Sequence, residues 1–287
     1  MNDIKEFLKQ YKFKPNDLLG QNFLINELIL EQIVSAAEVS PVDDVLEIGS
    51  GIGNLTKLLA ETGANVLAVE KDERYFPILK DQLGEHLQTH TKTPKSKANV
   101  KLVFADITRF NFQEELKSGY KVVANIPYYI TGKIIEMLVT AKNRPSKIVL
   151  LIQKEVAERI TAKAGDLSIL AISVQLFSNP RIAGLVSKSD FYPSPKVDSA
   201  ILVLDMLEKP RIDVSEKEFF RLVKATFAGK RKQIHNTLKN NLGLSEAELA
   251  EVFKASLIDS KARPQELSLE QWFKMYQKLQ PFLAKAS

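Results

Sequence analysis

The sequence predicts an α/β fold: a seven-stranded, doubly wound, Rossmann-like sheet with a small all-helical domain after it. Three observations carry this. Seven short apolar runs fall at about 44–48, 65–69, 100–104, 121–124, 147–152, 181–187 and 198–205. Helix-period stretches separate most of them, the alternation that builds a sheet covered on both faces. Beyond Lys209-Pro210 only helical spacing remains, over 216–227, 232–241, 246–253 and 269–283. A first domain over 1–207 and a helical second domain over 208–287 follow from that change.

The first 20 residues read as a short amphipathic helix and a linker broken at Pro15, and 26–38 as a helix. The run Val45-Leu46-Glu47-Ile48 then enters Gly49-Ser50-Gly51-Ile52-Gly53, after which Leu55, Leu58 and Leu59 recur at helical spacing. Glycines at alternate positions let a backbone turn tightly beside a helix N-terminus and come close to a ligand. The second strand, Val66-Leu67-Ala68-Val69, ends at Glu70, about 20 residues past the glycines, where a carboxylate would meet a pair of ribose hydroxyls. Residues 89–97, polar and of low complexity, make the next connection long and read as a loop. The third strand leads to Asp106, an acceptor suited to an adenine amino group, although acids at strand ends are also common as solvated turn residues. The fourth, Lys121-Val122-Val123-Ala124, stops at Asn125-Ile126-Pro127-Tyr128 because proline cannot extend the ladder. The last two strands are separated by 189–196, too short for a helix, so they should pair as an antiparallel hairpin.

Consecutive strand ends bearing ligand-type residues indicate one crevice at the carboxyl edge of a parallel sheet. The glycine turn and the acid that follows it mark a nucleoside-containing cofactor, and leave NAD and S-adenosylmethionine both open. The corner at 125–128 offers an amide carbonyl, backbone carbonyls and an aromatic face, the groups that hold a flat base with an exocyclic amine. By itself it also suits a plain strand-to-loop turn.

Composition narrows the classes. The 287 residues, 45% of them hydrophobic, suffice for one large α/β core and a small appendage. No apolar run approaches the roughly 18 residues that span a bilayer. The N-terminus, with Asp3, Lys5, Glu6 and Lys9, lacks the apolar core of a secretion signal. The absence of cysteine excludes disulfides and thiolate metal sites and fits a reducing cytoplasm. His86, His90 and His235 are too scattered for a metal set. The net charge of +5 is unevenly placed: residues 1–180 hold 22 basic and 22 acidic side chains, residues 181–287 hold 18 and 13. Five basic residues and no acid lie between Lys224 and Lys239. Such a patch attracts phosphate backbones by displacing their counterions, or is an ordinary solvated helix face.

The ordered segments EIGSGIG (47–53), VEKD (69–72), AD (105–106) and NIPY (125–128) resemble those of the S-adenosylmethionine-dependent adenine-N6 methyltransferases. Gly20-Gln21-Asn22-Phe23-Leu24 resembles that family's cofactor-covering segment, and the stretch Phe191-Tyr192-Pro193-Ser194-Pro195-Lys196-Val197-Asp198-Ser199-Ala200 its late target-base loop. With LIQKEVAERI (151–160) and FAGKRKQIHNTLKN (227–240) the match is similar to the small-subunit (16S) ribosomal RNA adenine N6,N6-dimethyltransferases. The resemblance implies an S-adenosylmethionine-dependent methyltransferase sheet and S-adenosylmethionine as cofactor. Its contacts would be Asn22, Leu24, Gly49 and Gly51, with Glu70 on the ribose, Asp106 on the adenine and Asn125 bordering the methionine side. Asn125 and Ile126 would then accept from the target amine, Pro127 would stiffen their corner, and Tyr128 and Phe191 would stack on either side of the base; core packing is the commoner fate of a lone phenylalanine, and the proline-bracketed loop favours stacking. Lys230, Arg231 and Lys232 would contact RNA. The implied partner is 16S rRNA in the 30S subunit, and the implied setting a cytoplasmic monomer with no metal and no membrane. Ser50 replaces the usual proline of the glycine turn, and Gly132-Lys133 is a milder departure. The competing functions are a large-subunit RNA methyltransferase of the macrolide-resistance type, a small-subunit assembly factor whose binding outweighs its chemistry, and a nicotinamide-dependent dehydrogenase.

Overall fold

A computed structural model describes residues 4–16, 20–88, 98–229 and 232–283. Helix α1 (Ile4–Gln10), strand β1 (Phe23–Leu24) and helix α2 (Glu27–Ala37) precede the main sheet. Then come β2 (Asp44–Ile48), α3 (Asn54–Glu61), β3 (Asn65–Glu70), α4 (Phe76–Leu83), β4 (Val100–Phe104), β5 (Lys121–Asn125), α5 (Thr131–Val139) and β6 (Lys147–Gln153). The remainder comprises α6 (Lys154–Ile160), α7 (Ile169–Phe177), β7 (Ser178–Val186), β8 (Phe191–Tyr192), β9 (Ser199–Met206), α8 (Glu216–Phe227), α9 (Ile234–Leu242), α10 (Glu246–Ser256) and α11 (Leu269–Leu283).

The seven strands of the main sheet lie in the order β4-β3-β2-β5-β6-β9-β7. The pairs β2–β3, β3–β4, β2–β5 and β5–β6 are parallel, and β9 runs antiparallel to β6 from Lys147↔Asp205 to Gln153↔Ser199. The seven-stranded α/β sheet read from the sequence is therefore present, with β7 and β9 as hydrogen-bonded neighbours at its far end. The strand expected at 181–187 begins earlier, at Ser178.

The central strands are continuous apolar runs because both their faces are covered. Val45, Val66, Ala68, Val123, Val149 and Ile201 join one core cluster with residues of α1 to α4. Their alternates, such as Leu46, Leu67, Val122 and Leu150, are equally buried on the opposite face. Local chemistry sets the helix ends. Asn26 caps α2 by accepting from Leu28 N at 3.1 Å, and Glu38 closes it in the left-handed region at φ 51°. Ser245 and Glu248 form a reciprocal capping box on α10.

One small element had no counterpart in the sequence pattern. β1 and β8 form a separate antiparallel pair, Phe23↔Tyr192 and Leu24↔Phe191, which fastens the N-terminal segment to the loop before β9. Two residues per strand are too few for periodicity to register.

The chain divides into two compact units, Met1–Ala157 with Asn179–Met206, and Glu158–Ser178 with Leu207–Ser287. This differs from a single cut after residue 207, because 158–178 packs with the C-terminal helices. Leu207 N donates to Phe177 O at 2.8 Å, and Arg211 Nε donates to Gln175 O at 2.7 Å. Gln175 in turn donates to the carbonyls of Ile160 and Ala162. The core of this second unit is aromatic: Trp272 stacks on Phe227 at 5.6 Å, and Tyr276 meets Phe219 edge-on at 5.4 Å.

Candidate active site

Strand order reverses at β2, whose neighbours β3 and β5 lead to opposite edges of the sheet, so a crevice opens at its carboxyl end. Register decides what meets there. Ile48 lies beside Val69 and Glu47 beside Val123, so the residues just past β2 face Glu70 on one side and Asn125 on the other. Gly49 N donates to Val69 O at 2.8 Å, and a β-carbon at Gly49 would lie 3.7 Å from Asn125 O. The turn that follows places Gly49 and Gly51 at φ 80° and 53°, in the left-handed region where a side chain is strained. A cavity of about 300 Å³ fills the crevice, bounded by the 20–24 segment, the glycine turn, the ends of β3 and β4, and the 125–130 corner.

Four carboxyl groups line this cavity, Glu47, Glu70, Asp72 and Asp106, and their surroundings set three of them apart. Glu70 accepts from Gly51 N at 2.9 Å, Lys71 N at 2.7 Å and Asp72 N at 2.8 Å. Burial still raises its pKa above the ordinary carboxylate value, against the pull of those three N–H groups. Asp106 is the opposite case. It accepts from Lys71 Nζ at 3.0 Å, Thr108 Oγ1 at 2.8 Å and Thr108 N at 3.0 Å, and these hold it down at about 2. Glu47 is 1% exposed and neither of its oxygens has a hydrogen-bond partner. Burial pushes it up to about 8; the Thr56 hydroxyl pulls the other way without reaching hydrogen-bond geometry, and Glu70 adds to the rise.

The corner after β5 is built to hold an amide still. Asn125 Nδ2 donates to Asn22 O at 3.3 Å, which orients Oδ1 away from that bond and leaves it with no partner among the described residues. Ile126 is buried, and Pro127 leads into a tight turn in which Ile130 N donates to Pro127 O. Tyr128 is half-buried, its hydroxyl 2.7 Å from the fully buried Ser199 Oγ, so the ring is tethered at its far end while it lines the cavity. Burial raises this phenol above its usual value.

Asn22, Leu24, Gly49, Gly51, Glu70 and Asp106 thus surround one cavity with Asn125, Ile126, Pro127 and Tyr128. Phe191 does not join them. Its side chain is 4% exposed, sits in the core cluster and lies outside the cavity lining, because pairing of Phe191 with Leu24 turns it inward. In this structure Phe191 is a packing residue. Lys232 lies in the second unit, exposed, its N–H closing a turn on Gly229 O. Lys230, Arg231 and the 89–97 loop lie outside the described residues.

Sequence reasoning passed over Glu47, Lys71 and Tyr129, which also line the cavity. Glu47 and Lys71 stand inside the quoted EIGSGIG and VEKD segments, and Tyr129 directly after NIPY, so position could have found them. Gln21 was likewise unassigned; its Nε2 donates to Asp72 Oδ2 at 2.9 Å, tying the N-terminal segment to the end of β3. Chemically the cavity suits a nucleoside bearing positive charge: two strand-end carboxylates for a sugar and an amino-purine, free backbone at a helix start, and a buried acid with no cation beside it. Among the described residues no three His, Cys, Asp or Glu side chains cluster as metal ligands, and no helix is long and apolar enough to cross a membrane.

Known proteins agree with this geometry. The chain is 41% identical over 278 residues to ribosomal RNA small subunit methyltransferase A of Clostridium botulinum (strain Okra / Type B1), covering 95% of this chain and 97% of that one. It is 36% identical to the protein of the same name from Dehalococcoides mccartyi (strain CBDB1), covering 96% and 92%. Among solved structures, a dimethyladenosine transferase from Plasmodium falciparum superposes with a TM-score of 0.74 at 26% identity, over 91% of this chain and 98% of that one. The 23S rRNA methyltransferase ErmE superposes at 0.72 with 25% identity, over 90% and 99%. The sequence pattern of one family matches residues 12–281, nearly the whole length, and the chain belongs to that family, the ribosomal RNA adenine dimethylases.

Proposed function

We propose that this chain transfers methyl groups from S-adenosylmethionine to the N6 amino groups of two adjacent adenines near the 3′ end of 16S rRNA in the small ribosomal subunit. The observation that carries the chemistry is the Asn125 amide, anchored through Nδ2 on the Asn22 carbonyl and offering Oδ1 as a free acceptor at the switch point. An adenine amino group is a poor nucleophile because its lone pair is delocalised into the ring. Asn125 Oδ1 and the Ile126 carbonyl each take one N–H, which favours a pyramidal nitrogen whose lone pair is available. No side chain serves as general base; fixed geometry lowers the barrier instead. When bound, S-adenosylmethionine supplies a methyl group activated by its sulfonium.

Asn22, Leu24, Gly49 and Gly51 hold the cofactor in this reading, with Glu70 on its ribose and Asp106 on its base. Tyr128 stacks on the extruded target, a contact of about 1–3 kcal/mol that partly offsets unstacking from the RNA. Each transfer would exchange one N–H proton, released to water from the alkylated and now acidic nitrogen, for a methyl group; after one the amine keeps one N–H for an acceptor, and after two it has none, so the dimethylated base leaves. Lys232, with Lys230 and Arg231, contacts the RNA from the second unit. Small-subunit methyltransferases among the relatives support the choice of substrate, and with it a cytoplasmic setting. The free chain is expected to be a monomer, which light scattering checks.

The test is incubation of unmodified small subunits with labelled cofactor, followed by mass analysis of the RNA, with large-subunit RNA in parallel. Two dimethylated adenines are expected in the small-subunit RNA. Asn125→Ala should lower kcat about 10²- to 10³-fold. Turnover by that variant at the wild-type rate would sink the proposal, and methylation of the large-subunit RNA alone would favour the macrolide-resistance type, for which the likeness to ErmE speaks.

A further inference from the structure

Consecutive residues of the turn after Pro127 carry two tyrosines with opposite fates. Tyr128 is half-buried and tied to Ser199. Tyr129 is 62% exposed, and no other aromatic side chain among the described residues is as open to solvent. It is not a stray surface ring, since it borders the same cavity. Gly20, at φ 62°, is its neighbour: a β-carbon there would sit 3.7 Å from the Tyr129 Cδ1 and 3.5 Å from the Pro127 Cβ. One edge of the ring faces Gly20 while much of the rest is open to solvent.

Basic groups stand near Tyr129. Lys71, paired with Asp106 at 3.0 Å, lies within electrostatic reach of both Tyr129 and Arg109. Lys133, on the first turn of α5, also lines the cavity, and it has no ion pair among the described residues. An exposed ring and an unpaired lysine on the lining of a cavity whose inner ring is a tethered tyrosine match one ligand chemistry well: a nucleobase on the ring with its phosphate at Lys133. A core role for Tyr129 fails on its exposure, and a role confined to covering the cofactor leaves Lys133 without purpose.

We propose that Tyr129 is a second base-binding position, a stacking platform for the adenine adjacent to the one held at Asn125 and Tyr128. This rests on the reading of two neighbouring adenines as substrate, and extends it. With one base drawn into the cavity, its neighbour meets the rim ring instead of remaining loose. The arrangement keeps the neighbouring adenine ordered beside the site while its partner is held within.

Steady-state methylation of unmodified small subunits tests this with wild type, Tyr129→Phe and Tyr129→Ala, on subunits whose target pair is intact and on subunits carrying uridine in place of one adenine. Tyr129→Ala should raise KM for intact subunits about tenfold, the loss of one aromatic–base stack, with kcat changed less than about threefold. Tyr129→Phe, which keeps the ring, should stay within about twofold of wild type. Uridine, a weaker stacker, should raise KM for wild type and leave Tyr129→Ala nearly unchanged, the non-additivity of two groups in contact. Affinity for labelled S-adenosylmethionine should move less than about twofold in either variant. An unchanged KM in Tyr129→Ala, additive effects of ring and base, or a cofactor affinity that falls as far as KM rises would each overturn the inference. Absence of methylation by the wild-type protein itself would instead remove the reading beneath it.

Discussion

At the scale of single residues, Glu47 makes the sharpest prediction, because a buried acid without partners holds its proton. Its ordinary pKa of 4.5 applies to the unfolded chain, and burial moves the folded value up to about 8. Between those two values the unfolded chain releases the proton and the folded chain keeps it, so stability falls as pH rises through that window and levels off above it. Glu47→Gln removes the effect. The variant should gain stability relative to the wild type between about pH 6 and about pH 8, by an amount on the order of a few kcal/mol, in chemical melts without cofactor. A cationic ligand placed against this acid favours its ionised form. Calorimetry near neutral pH should then show proton release on cofactor binding in the wild type and less in Glu47→Gln; equal release would assign the proton elsewhere. Tyr128 gives a second expectation at this scale. Tyr128→Phe breaks the bond to Ser199 and leaves a buried hydroxyl unpaired, which lowers stability by about 1–3 kcal/mol while stacking survives. Tyr128→Ala removes the stacking face and should raise KM for the subunit about tenfold or more. Thermal melts and subunit kinetics separate the two effects.

At the scale of elements, the β1–β8 pair explains why the late loop behaves differently from its sequence. The sequence assigns Phe191 to the target base, yet pairing with Leu24 commits its ring to the core. Phe191→Ala should therefore destabilise the protein by about 3–5 kcal/mol, as for other buried aromatic truncations, and Phe191→Leu should restore most of that. A loss of activity at unchanged stability would return Phe191 to the stack. The same example marks the limit of what sequence can deliver. Strands β2 and β4 match their expected bounds because each is an apolar run bracketed by turn residues, a signal local to the strand. The glycine turn, Glu70, Asp106 and the 125–128 corner were legible because each stands at a strand end, and parallel order brings strand ends together. Phe191 was not legible, since a two-residue pairing has no period to detect. Nor was the membership of 158–178, which depends on bonds from Phe177 and Gln175 to residues more than 25 positions away, Leu207 and Arg211. Glu47 was visible as a letter, but its state depends on burial by partners that only the folded chain assembles.

At the scale of the whole molecule, charge is arranged so that the excess lies where RNA contact is proposed. In the first unit several lysines are engaged internally: Lys121 with Asp43, Lys147 with Glu38 and Asp205, and Lys101 with Glu115. Such pairs remove positive charge from the field seen by a polyanion. The last third carries the surplus, and Lys232 is exposed there with no ion pair among the described residues. Binding to small subunits should accordingly weaken as salt rises, each neutralised phosphate contributing roughly 0.7–0.9 to the log–log slope. Lys232→Ala should flatten that slope by somewhat less than one and weaken binding at low salt, while the affinity for S-adenosylmethionine, bound in the other unit, stays unchanged. An unaltered slope would make the 224–239 patch an ordinary solvated face, and the subunit would then have to be recognised through neutral contacts. The measurement is filter binding of unmodified small subunits across a salt series, with wild type and Lys232→Ala side by side, so that a change in slope is distinguished from a uniform loss of affinity caused by partial unfolding.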